Sequence, residues 1–106
     1  MVANAAIELV ARRIAREFRP LRILLFGSYA NKTATPDSDV DLLVILGFEG
    51  RAVDKSVEIR LKVRPPFPVD LLVKTPEQIQ QRLKMGDSFI RDIIEHGQVL
   101  YEADHA

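Results

Sequence analysis

The chain has 106 residues, of which 47% are hydrophobic and 28% charged, a composition typical of one globular domain rather than of a disordered segment. Fifteen basic and fifteen acidic residues give a formal net charge of zero, which argues against strong nucleic-acid binding through charge alone. The absence of cysteine excludes disulfides and thiolate metal sites. We therefore expect residues 1–106 to form a single domain.

Residues 4–18 predict an amphipathic helix, because their apolar residues recur at helical spacing up to Phe18 and Pro20 follows. Charged residues, among them Glu8 and Arg12, interrupt this stretch. It therefore predicts neither a secretory signal nor a membrane span, and we expect a cytoplasmic protein without membrane contacts.

Two apolar runs, residues 21–26 and 39–46, predict buried strands. Residues 51–63 favour a helix that unwinds into the following prolines, with a helix followed by a strand at 57–63 as the alternative. Residues 66–74 predict a third strand, whose prolines are confined to its entry.

Helix-start signals follow the third strand. Thr75 and Gln78 have the spacing of a capping box with proline at the first helical position, and Asp87 or Ser88 can cap a further helix that closes at Gly97. Residues 98–102 alternate as in an edge strand. The order of elements predicts an α+β fold, a small mixed sheet packed by helices, which we expect on one side of the sheet.

Two carboxylates share one face of the second predicted strand. Asp39 and Asp41 are two residues apart, so their Cα atoms lie about 6.7 Å from each other and both side chains point the same way. Asp70 interrupts the third strand and joins them if that strand lies alongside. Such an all-oxygen cluster suits one or two Mg²⁺ ions that support phosphoryl or nucleotidyl transfer. For the Asp39 and Asp41 pair taken alone, solvated acids at a strand end are the simpler interpretation, and Asp70 taken alone is most simply a surface residue.

The first predicted strand runs directly into Gly27 and Ser28. Glycine permits a sharp turn and close approach of a ligand, and Ser28 can cap a short helix at 29–32 whose free amides face a phosphate. Ser38 precedes the acidic pair and either assists a phosphate or stabilises the turn, the second being the favoured interpretation. An ordinary strand-to-helix turn is the simpler reading of this segment alone.

The turn at Gly27 and Ser28 together with the pair Asp39 and Asp41 is a more specific motif than either part alone. The segment GSYANKTATPDSDVDLLV resembles the G-S, ten-residue, D-x-D signature of the DNA polymerase β-like nucleotidyltransferases, and the short chain resembles their minimal nucleotidyltransferase (MNT) branch. The resemblance implies the nucleotidyltransferase fold, nucleotide binding at Gly27 and Ser28, and Mg²⁺ ligation and catalysis by Asp39, Asp41 and Asp70. Asp70, the third carboxylate, would help to activate the acceptor hydroxyl.

One position departs from the family pattern. A glycine often follows the G-S-x-A core two residues later, where this chain has Lys32. We expect Asn31 to adopt the left-handed turn instead, and Lys32 either to be solvated or to touch a phosphate.

The resemblance implies a Mg²⁺-dependent enzyme that moves AMP from ATP to a hydroxyl and releases pyrophosphate. Members of this branch are often antitoxins paired with HEPN-type ribonuclease toxins, so a HEPN toxin is the implied partner and a hetero-oligomer the implied assembly. The alternative is a catalytically weak antitoxin that acts by binding alone. RNA binding through the arginine-rich first helix fits the balanced charge poorly.

Overall fold

A computed structural model describes residues 1–104. Its helices are α1 (Asn4–Phe18), α2 (Ser28–Asn31), α3 (Ala52–Val63), α4 (Pro76–Lys84) and α5 (Ser88–His96). Its strands are β1 (Arg22–Phe26), β2 (Val40–Ile45), β3 (Val69–Lys74) and β4 (Gln98–Glu102). The alternative strand at 57–63 is not formed, because α3 continues to the residue before the Arg64 turn. Across the described residues, no helix is both long and apolar enough to cross a membrane.

The four strands form one mixed sheet in the order β3-β2-β1-β4. β1 is antiparallel to both β2 and β4, whereas β2 and β3 are parallel. A parallel pair needs a crossover connection, and α3 supplies it. The predicted α+β class with a mixed sheet is confirmed.

Both faces of the sheet are covered by helices, which corrects the expectation of one covered side. One face packs Leu42 and Val44 against α1 and α3, through residues such as Ile14 and Ile59. The opposite face packs a second cluster against α4 and α5, formed by Leu24, Leu43, Ile45, Ile79, Ile90 and Ile93. Side chains alternate along a strand, so the fully apolar part of β2, residues 42–45, is buried on both of its faces.

Side-chain caps fix where α4 and α5 begin. The Thr75 hydroxyl accepts a hydrogen bond of 3.1 Å from the Gln78 amide, and the Gln78 side chain accepts one of 3.0 Å from the Thr75 amide. Asp87, rather than Ser88, caps α5 by accepting from the Ile90 amide at 3.1 Å. The predicted capping box is therefore confirmed, and the short connection holds α4 and α5 together over one sheet face.

Candidate functional site

Two of the predicted acidic residues lie side by side at one edge of the face covered by α4 and α5. Asp41 of β2 is the direct partner of Asp70 in the parallel pair, and of Phe26 in the antiparallel pair. Directly opposite residues project to the same face, so Phe26, Asp41 and Asp70 form one row across three strands. Asp39 precedes Asp41 by two residues, just before β2 begins. The sequence left open whether the third strand adjoins the second, and the register shows that it does.

The three carboxylates repel one another. Asp41 is half-buried, while Asp39 and Asp70 are exposed. Burial, then the charge of Asp70, then that of Asp39, raise the pKa of Asp41 above its ordinary value. Throughout residues 1–104, none of the three forms an ion pair with a lysine or arginine. Within the described part of the chain, negative charge is thus gathered here without a lysine or arginine in ion-pair contact to balance it.

This donor set fits Mg²⁺ in chemistry and charge. Oxygen ligands are those that Mg²⁺ prefers, and a divalent cation would relieve the repulsion that raises the Asp41 pKa. As the side chains stand, the structure of residues 1–104 contains no group of three Asp, Glu, His or Cys residues close enough together to enclose an ion. Asp39 and Asp70 are exposed. Metal binding by Asp39, Asp41 and Asp70 therefore stays a prediction.

The backbone at Gly27 lies so close to Asp41 that it leaves no room for a side chain. Its backbone has φ +74° and ψ −153°, a region that essentially only glycine occupies. A Cβ at this position would collide with the Asp41 carboxylate, lying 3.2 Å from its Cγ. Glycine therefore serves two purposes here, because it turns the chain out of β1 and leaves space for the carboxylate.

Ser28 lies beside this turn but does not cap a helix, which corrects the expectation of a helix at 29–32 with Ser28 as its cap. The helix begins at Ser28 itself, and Gly27 occupies the capping position without a side-chain hydrogen bond. The Asn31 amide donates to the Gly27 carbonyl at 3.0 Å. The positive φ of Gly27 turns the chain one residue earlier than expected and leaves Ser28 inside the first turn.

Lys32, rather than Asn31, adopts the left-handed conformation, with φ 61° and ψ 32°. This corrects the expectation for Asn31, which is the last helical residue of α2. The residue that follows a helix often takes this conformation, and its amide donates here to the Ser28 carbonyl. A glycine would adopt this conformation at less cost than a lysine.

Ser38 takes part in a turn before β2. Its hydroxyl accepts a hydrogen bond of 2.9 Å from the Thr35 amide, and its own amide donates to the Thr35 carbonyl at 3.0 Å. These bonds agree with the favoured interpretation, in which Ser38 stabilises the turn. Nucleotide binding by Gly27, Ser28 and Ser38 stays a prediction.

A cleft next to Gly27 contains residues that the sequence did not single out. It has a volume of about 130 Å³ and lies between β1, α2 and α5. Its lining includes Phe26, Gly27, Asn31, Phe89, Asp92 and His96. The feature of the sequence that could have indicated this cleft is Phe89, an aromatic residue on α5 that lies outside the buried stripe of Ile90 and Ile93.

The sequence of the chain matches a known protein family. Residues 7–100 match the model of the family described as nucleotidyltransferase domain. A protein of Methanocaldococcus jannaschii, named as a candidate protein adenylyltransferase, is 32% identical over 82 residues, covering 76% of this chain and 77% of its own length.

Two solved structures share the fold. A candidate nucleotidyltransferase from Sulfolobus solfataricus superposes with a TM-score of 0.57 at 22% identity, covering 73% of this chain and 70% of the other. A toxin–antitoxin structure with AMP-PNP superposes with a TM-score of 0.56 at 19% identity, covering 92% of this chain and 74% of the other. The family match spans most of the sequence and includes every predicted site residue, so the chain belongs to the nucleotidyltransferase domain family.

Proposed function

We propose that the protein is a Mg²⁺-dependent nucleotidyltransferase that moves AMP from ATP to a hydroxyl group. The observation that carries the proposal is the cluster of Asp39, Asp41 and Asp70 beside the Gly27 turn, which we call the acidic row. The register brings Asp70 next to Asp41, with Asp39 two residues away on the same chain segment. Burial and the charges of Asp70 and Asp39 raise the pKa of Asp41, and the charge repulsion is what a bound cation would relieve.

Each residue has a role in this reaction. The acceptor oxygen bonds to the α-phosphorus, the bond from that phosphorus to the bridging oxygen breaks, and pyrophosphate leaves. Asp70 accepts the proton of the acceptor hydroxyl, and the Gly27, Ser28 and Ser38 region holds the phosphates. Asp39, Asp41 and Asp70 would hold Mg²⁺, which when bound polarises phosphate oxygens and aligns the triphosphate.

The acceptor we propose is a hydroxyl on a partner protein, a toxin of the HEPN type that this chain would neutralise as antitoxin. Support comes from two similar proteins. The M. jannaschii relative carries the name of a candidate protein adenylyltransferase, and one structural neighbour is a toxin–antitoxin structure with AMP-PNP. A complex of the two proteins follows as the expected assembly.

Transfer of label from ATP tests this proposal. The chain would be co-expressed with the protein encoded beside it, and the pair incubated with Mg²⁺ and ATP labelled at the α-phosphate. The wild type should label the partner, whereas Asp39→Asn/Asp41→Asn should not. Asp54→Asn, an exposed acid on α3, serves as the matched control and should label normally. Label that persists in the double variant, or is absent with the wild type, would count against the enzyme.

A second function, neutralisation by contact alone, has one observation in its favour. Lys32 has the left-handed conformation in the predicted phosphate loop, at a position where the pattern that this chain resembles often has glycine. If contact is sufficient, the double variant should still suppress the toxicity of the partner in cells. If transfer is required, toxicity should return.

A further inference from the structure

Phe89 is exposed in a way that the packing of the fold does not require. It lies near the start of α5 with 55% of its surface accessible, while Ile90 and Ile93 of the same helix are buried. Its ring contacts Phe26 edge to face, with centroids 5.7 Å apart and planes at 82°. This contact covers part of the Phe89 ring and leaves much of the ring accessible to solvent.

This ring stands close to the acidic row. Phe26 is the direct cross-strand partner of Asp41, and neighbouring strands are about 4.8 Å apart. Phe89 therefore packs over β1, one strand away from the Asp41 carboxylate. A ligand held at the acidic row and the Gly27 turn would extend past Phe89 if it continued toward β4.

The cleft in that direction combines an aromatic wall with polar groups. Phe89 and Phe26 are apolar, Gly27 offers backbone without a side chain, and Asn31 brings an amide. On the α5 side, Asp92 and His96 are hydrogen-bonded to each other at 3.0 Å. The mixture suits a flat ring attached to a hydroxyl-bearing sugar, because the ring stacks on an aromatic face and the sugar finds hydrogen-bonding partners.

We propose that this cleft holds the nucleoside part of the donor nucleoside triphosphate, with its base stacked on Phe89 and its ribose near Asp92 and His96. The inference rests on the proposed function, since it assumes that the phosphates lie at Gly27 and Ser28. Stacking on a ring face is tolerant of base identity, so Phe89 contributes affinity for nucleotides as a class.

Comparison of two ligands separates the nucleoside from the phosphates. Binding of ATP and of inorganic tripolyphosphate, each with Mg²⁺, would be measured by calorimetry on wild type, Phe89→Leu and Phe89→Tyr. The Phe89→Leu variant loses the stacking face, so its affinity for ATP should fall at least about fivefold while its affinity for tripolyphosphate stays unchanged. The Phe89→Tyr variant keeps an aromatic ring and should bind ATP like the wild type. Met85→Leu, an exposed apolar position outside the cleft, is the control and should change neither affinity. Thermal unfolding of each variant checks that the fold is intact.

The outcomes distinguish this inference from the proposed function. If the wild type binds ATP and Phe89→Leu binds it equally well, the stacking site is overturned while the proposed function stands. An equal loss of ATP and tripolyphosphate binding would also overturn it, because the effect would then lie at the phosphates. If the wild type binds neither ligand, the proposed function and this inference fail together.

Discussion

The carboxylate of Asp41 occupies the space that a side chain at Gly27 would need. Gly27 directly follows β1 and Asp41 lies in β2, and the two meet because Phe26, the residue before Gly27, pairs with Asp41. The turn that is predicted to hold the phosphates and the carboxylate predicted to hold the metal therefore depend on each other. A change at one is expected to disturb the other.

Gly27→Ala should destabilise the protein and abolish transfer. The positive φ of Gly27 strains any other residue, and the new methyl group would displace the Asp41 side chain. We expect the free energy of unfolding to fall by about 1–3 kcal/mol, measured by denaturant titration. In an Asp41→Ala background the same substitution should cost less, because the collision is gone. Equal losses in the two backgrounds would show that the close approach does not matter.

Lys32→Gly should stabilise the protein by about 0.5–1 kcal/mol, because the left-handed conformation costs a lysine more than a glycine. Asn31→Gly is the matched control, since Asn31 is helical and glycine there should lose a few tenths of a kcal/mol. Thermal unfolding of the two variants should thus shift in opposite directions. A loss of stability in Lys32→Gly would mean that the lysine side chain makes a contact worth more than the strain.

Asp41→Asn should stabilise the metal-free protein at neutral pH. The folded-state pKa of Asp41 is raised. The contribution of Asp41 to the stability of the wild type is therefore greatest at a pH below the ordinary pKa of 3.8. Its stability then falls as the pH rises through the raised pKa, because the charged form is disfavoured in the fold. Unfolding in chelator as a function of pH should show the wild type and the variant converging at low pH. A variant that is less stable than the wild type at neutral pH would contradict the direction of the shift.

Asp70→Asn should slow transfer at saturating ATP by at least about 100-fold, because the acceptor hydroxyl loses the group that takes its proton. The rate of pyrophosphate release measures this directly. Stability should change little, since Asp70 is exposed on β3. Transfer at the normal rate would remove Asp70 from the reaction.

Local signals in the sequence were sufficient for most of the elements. Thr75 and Gln78 are three residues apart, so their capping box is a short-range arrangement that spacing alone predicts. The prediction for the left-handed residue after α2 is one position too early, because the position of this residue depends on whether the last helical turn closes at Ala30 or at Asn31. The number of covered sheet faces was not predicted either, since an apolar run such as residues 42–45 of β2 has the same pattern whether one helix layer or two will pack on it.

The site was predictable where it is contained in one segment. Gly27, Asp39 and Asp41 lie within fifteen residues of chain, so their spacing already places them at neighbouring strand ends. The alignment of Asp70 with Asp41 depends on the pairing of β2 with β3, and the cleft at Phe89 depends on the packing of α5 against β1. Those contacts join residues far apart in sequence, and only the folded chain brings them together.

Titration of ATP into the protein tests the central claim most directly, namely that Asp39 and Asp41 bind the nucleotide through Mg²⁺. Calorimetry would compare the wild type with Asp39→Asn/Asp41→Asn, each with Mg²⁺ and with chelator. We predict binding by the wild type that requires Mg²⁺ and is lost in the double variant. Binding of equal strength in chelator or in the double variant, or no binding by the wild type, would contradict the account.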